Sequence, residues 1–89
     1  MPTGPTPSIL MARATGLAAR AAGMTLAATS PEMRDALRAI ELIAREANFW
    51  LQEQPAPDVL REIEAGLATQ AKRLDTLEDR LRLGADAKP

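Results

Sequence analysis

Residues 58–83 read DVLREIEAGLATQAKRLDTLEDRLRL. Within them Leu60, Ile63, Leu67, Gln70, Leu74, Leu77 and Leu81 recur at alternating intervals of three and four residues. That spacing keeps one face of an α-helix in line, as in a coiled-coil seam. Glu64, Arg73, Glu78 and Arg80 flank the seam, where interhelical ion pairs form. Gln70, its one polar member, costs stability and can fix register. The stretch predicts a helix over 58–83, with Asp58 as its cap or in its first turn and Gly84 as a ready C-cap.

Upstream, Pro55-Ala56-Pro57 makes a stiff connector short enough to join antiparallel helices. Before it comes Ser30-Pro31-Glu32. A hydroxyl that accepts from free backbone N–H groups, a proline at the first helical position and a carboxylate at the positive helix end together mark a helix start. From there Met33, Leu37, Ile40, Ala44, Ala47 and Leu51 form one stripe, which Ala36, Ile43 and Trp50 widen. Glu41 and Arg45 add an i,i+4 pair. The helix is predicted over 31–54 and stops before Pro55. Residues 30–84 are thus expected to form an antiparallel helical hairpin.

The first third has a different texture. Leu10-Met-Ala-Arg-Ala-Thr-Gly16 is followed by Leu17-Ala-Ala-Arg-Ala-Ala-Gly23, a repeat of period seven. Leu10, Ala14, Leu17, Ala21, Met24 and Ala28 then alternate large and small side chains along one helix face, with Arg13 and Arg20 beside it. Gly16 and Gly23 each cost about 1 kcal/mol relative to Ala in a helix interior. A weaker Ala/Gly helix over 9–29 is expected, one that orders against a neighbour. Residues 1–8, rich in proline, read as a disordered arm, and 85–89 as a frayed tail.

Composition narrows the chemistry. The 89 residues hold no Cys, no His and no Tyr, with one Trp and one Phe. Disulfides, thiolate catalysis, Cys- or His-ligated metals and the commonest general base are all removed. Ser8 and Ser30 have no His to activate them, and the five glycines are too scattered for a phosphate loop. Asp75, Asp79 and Glu78 cluster on a helix, but among Arg73, Arg80 and Arg82 they read as a solvated, ion-paired face. No enzyme, metal or cofactor is expected.

The net charge of −1 is not that of a domain held to nucleic acid by bulk charge. The distribution is uneven, since residues 1–30 carry Arg13 and Arg20 and no acid. Residues 31–54 carry three arginines, Arg34, Arg38 and Arg45, against five carboxylates. Arg13 and Arg20 interrupt the only apolar run near the start, so no secretory signal is read, and no stretch approaches a membrane span. The acid-poor start also resembles an organellar transit peptide, but reads better as an ordinary Ala-rich bacterial helix. A cytoplasmic setting follows as an expectation.

Phe49 and Trp50 close the second helix. Trp50 is read either as core covering the hairpin end or, with Phe49, as an anchor for a partner. The overall expectation is an all-α, non-enzymatic assembly or adaptor subunit. It oligomerises through the Leu60–Leu81 seam and docks on a larger protein through Leu10, Leu17, Met24, Arg13, Arg20, Phe49 and Trp50.

Two alternatives stand beside it. A two-helix hairpin over 31–83 that builds rings resembles the oligomerisation core of phage-type small terminase subunits, without that family's usual DNA-binding helix-turn-helix. The resemblance implies a DNA-packaging accessory that recruits a large ATPase, touching nucleic acid only indirectly or through a ring. The other alternative is a small regulatory or antitoxin-like subunit whose residues 1–30 fold on the target.

Overall fold

The computed structural model describes residues 6–83, which form three α-helices: α1 (Pro7–Ala27), α2 (Pro31–Leu51) and α3 (Pro57–Arg82). All three begin with proline at a first-turn position, where its missing N–H leaves no intrahelical bond unmade. Ser30 caps α2, its hydroxyl accepting from the Met33 N–H at 3.1 Å. Thr6 does the same for α1, accepting from the Ile9 N–H at 3.3 Å. α1 therefore starts two residues before the expected position: Pro7 and Ser8 belong to the helix, not to an arm. α3 is capped by Ala56 without a side-chain bond, and Asp58 lies in its first turn. Residues 1–5 of the arm expected over 1–8, the Gly84 cap and the frayed tail over 85–89 fall outside the described residues.

Helix ends are shorter than expected. α1 stops at Ala27, where Ala28 turns to an extended conformation and its carbonyl accepts from the Arg34 Nε at 3.1 Å. α2 stops at Leu51 rather than 54. Gln54 adopts φ 54°, the left-handed region that closes many helix ends and that side chains other than glycine enter at a cost. This kink and Pro55 reverse the chain into α3.

The pairing of side chains gives helix directions. Thr15 meets Asn48 and Ala28 meets Arg34, so α2 runs opposite to α1. Arg13 meets Glu64 and Arg20 meets Asp75 and Glu78, so α3 runs with α1. The result is an up-down-up arrangement 53 Å long and 20 by 15 Å across. α1 and α2 make the closest contact; α3 lies more lightly on both.

Small side chains explain that difference. Ala14, Ala21 and Ala44 are buried, with Ala18, Ala36 and Ala47 packed at the edge of the same core. Helix axes separated by alanines approach toward the short end of the usual range of about 8–10 Å. α3 contributes Leu60, Leu67, Leu74 and Leu77, whose longer side chains reach the core from farther away. The Ala/Gly helix thus finds its neighbour within the same chain.

Candidate protein-interaction site

The core takes its large side chains from all three helices: Leu10, Leu37, Ile40, Leu51 and Leu74 are fully buried. Leu10 and Leu17 are therefore interior residues and not a surface open to a partner, because the face that carries them is the one α1 turns inward. Met24 is half-buried and packed against the same core.

Arg13 and Arg20 are likewise engaged inside the chain. Arg13 stands 3.6 Å from Glu64, and Arg20 forks to Asp75 and Glu78 at 3.2 Å each. These groups are substantially exposed, so each pair is worth about 0.2–1 kcal/mol and weakens with salt. The ion pairs bridge an open groove of about 520 Å³ floored by Gly16, Leu17, Leu67, Ala68 and Ala71.

The Leu60–Leu81 seam also faces inward. Leu60, Leu67, Leu74 and Leu77 are buried, and Ile63 and Leu81 pack at the margin. Gln70 is half-buried, and its Oε1 is enclosed without a hydrogen-bond partner. A partnerless buried carbonyl costs roughly 1–3 kcal/mol, the penalty expected of a polar seam residue.

Large apolar side chains are exposed on every helix, Ile9 and Leu26 on α1 and Val59 on α3 among them, and α2 exposes Leu42, Ile43, Phe49 and Trp50. Phe49 is 60 % exposed and Trp50 55 % exposed, their rings T-packed at 5.9 Å between centroids and 78° between planes. Trp50 is not core. With Ile43 it lines a shallow groove against Ile63, Gly66 and Leu67 of α3. Leu42, 66 % exposed, was not singled out by its sequence context. Its spacing of seven from Phe49 was the available signal.

Comparison with protein-family models, with curated proteins and with solved structures finds no match to the chain. The site must be read from its own geometry. Among the described residues no three His, Cys, Asp or Glu side chains converge as a metal site. No described helix is long and apolar enough to cross a membrane. The exposed surface of α2 carries Leu42, Ile43, Phe49 and Trp50 beside the charged Asp35, Arg38, Arg45 and Glu46.

Proposed function

We propose that the chain is a non-enzymatic, cytoplasmic assembly or adaptor subunit that self-associates and docks on a larger protein. One observation carries this reading: the only two aromatic side chains lie mostly in solvent, together, on α2. Aromatic rings contribute the most apolar area per residue, and folding normally encloses them. The core, built of alanine, leucine, Ile40 and Met33, leaves both rings outside, and Trp and its aromatic neighbours are common hot spots on contact surfaces. In this reading α2 and α3 act as an antiparallel hairpin whose coiled-coil-like seam, Leu60 to Leu81, holds the chain together and sets the α2 surface outward.

The test pairs native mass measurement with capture from the source extract. The double variant F49A/W50A is expected to keep its helical circular dichroism while losing both self-association and captured protein. A wild-type chain that stays monomeric and retains no partner would remove the proposal. The DNA-packaging alternative draws less support, because Arg13 and Arg20 already spend their charge on α3 carboxylates. A multimeric ring that retards DNA in low salt would favour it instead.

A further inference from the structure

The end of the molecule where α2 passes into α3 is acidic. Residues 46–66 hold five carboxylates, Glu46, Glu53, Asp58, Glu62 and Glu64, and one cation, Arg61. Glu64 is taken up by Arg13. Among the described residues the other four carboxylates have no ion-pair partner. At about 100° per residue, Arg61 stands roughly 140° round α3 from Gly66, on the side away from α2.

The groove beside Trp50 opens within this region, and its one charged lining residue is Glu46, a helical turn before Trp50 on α2. No cation reaches that carboxylate along its own helix, because its neighbours three and four residues away are Leu42, Ile43, Phe49 and Trp50. Arg45, adjacent in sequence, points about 100° away and is held by Glu41. Across the groove α3 presents Ile63, Gly66 and Leu67. Glu62 and Asp58 lie one and two turns back from Gly66 on the same face. The first cation on that face, Arg73, is nearly two turns further on, about 10 Å along the axis. Arg13 and Arg20 of α1 meet the other side of α3, at Glu64, Asp75 and Glu78.

At about 180 Å³ the groove is smaller than the roughly 300–1,000 Å³ of small-molecule pockets, and its size is that of a single side chain. It offers an aliphatic floor, a half-exposed indole and an unpaired carboxylate. A long cationic side chain uses all three: its stem packs on carbon, and its head lies over the ring and bonds the acid. From this complementarity we infer that the groove takes an arginine or lysine side chain from a basic segment of the protein on which the chain docks. The cationic head sits between Trp50 and Glu46, and Asp58 and Glu62 draw the neighbouring charges of the same segment. Arginine suits the site best, since its planar guanidinium both stacks and bonds a carboxylate through two N–H groups. The inference rests on the adaptor reading above and supplies the chemistry of its partner.

Trp50 is the only tryptophan, so its fluorescence reports the site directly. The probe is an eight-residue peptide of alternating arginine and alanine, blocked at both ends. It is titrated into the full chain at about 0.1 M salt, where exposed charges more than roughly 10 Å apart are screened. A saturable change in Trp50 emission is expected at sub-millimolar peptide. The same peptide with citrulline for arginine, which keeps the shape and loses the charge, should bind roughly tenfold more weakly. Glu46→Gln should weaken the arginine peptide about three- to fivefold, and Glu46→Lys roughly tenfold or more. Asp35→Asn, an equal charge change about 16 Å along α2, should leave it unaltered.

Equal binding of the two peptides would overturn the inference, and so would an E46Q variant that matches the wild type. Saturable binding that leaves the emission unmoved would place the peptide elsewhere on the acidic surface and overturn it as well. An emission change on diluting the chain alone from about 1 mM, unaltered by the arginine peptide, would give the groove to a second copy, with the same consequence. If the peptide fails while F49A/W50A still loses the captured protein, the adaptor reading stands and only this ligand falls. A wild-type chain that captures nothing and stays monomeric would remove both.

Discussion

α1 meets α2 through alanines, whereas α3 meets the pair through leucines and exposed ion pairs. The first contact is close, with Asn48 donating to Thr15 across it and an open groove of about 300 Å³ lined by Ala14, Ala18, Ala22 and Ala44 along one edge. The second leaves an open groove beneath Arg13 and Arg20 and a shallower one beside Trp50. Area alone would rank α3 as the stronger partner, since its side chains are larger. Backbone proximity gives the other order, since α1 and α2 approach each other more closely along their length than either approaches α3.

Four changes break or sharpen that contrast, beginning with the largest. A chain that starts at Ser30 loses α1 and exposes Leu37, Ile40 and Ala44, all fully buried in the intact fold. It is expected to lose most of its helical circular dichroism and its cooperative melting. Retention of a stable α2–α3 pair would show that α1 is dispensable and would reverse the ranking of the two contacts. Next comes Ala21→Leu at a fully buried position on α1. Overpacking there should cost about 1–3 kcal/mol in urea unfolding, and a gain in stability would mean that the helices stand farther apart than described.

The remaining two changes act on α3. Gln70→Leu removes the partnerless Oε1 from the seam and should gain about 1 kcal/mol. A clear loss would point to a bonded role for the amide. Arg20→Ala breaks both links to Asp75 and Glu78, and should cost about 0.5–1 kcal/mol at low ionic strength and almost nothing in high salt. A cost that does not diminish with salt would assign Arg20 a packing role, through its aliphatic stem, rather than an electrostatic one.

Much of the fold was legible because helix starts are chemical events at single residues. Ser30-Pro31 announced α2 without ambiguity, and the leucines of α3 announced their face by spacing. Thr6-Pro7 carried the same message as Ser30-Pro31, but its setting among other prolines and small polar residues made it read as an unstructured arm. The strength of the α1–α2 contact was not legible for a related reason. Periodicity weighs side chains by apolar area, and alanine contributes little area while permitting the closest approach.

The interaction surface was half legible. Phe49 and Trp50 stood out by type, but helical spacing placed Ile43 and Trp50 on a widened core stripe. They instead line a groove against Ile63, Gly66 and Leu67 of the facing helix, and those neighbours are set by tertiary structure. Arg13 and Arg20 stood out by their period of seven, yet their partners lie more than fifty residues away in the chain.

Those separations bear on the order in which the molecule assembles. α1 and α2 are joined through three residues, 28–30, and their contacts close a short loop. The contacts of α3 with α1 span 55 and 58 residues at Arg20 and close much longer ones. Local contacts form early and distant ones late, because the entropy of closing a long loop must be met before any contact repays it. The chain is also synthesised from the end that holds its tightest helix pair. Substitutions in the alanine contact should therefore slow folding, and substitutions at Arg20, Asp75 or Glu78 should mainly speed unfolding.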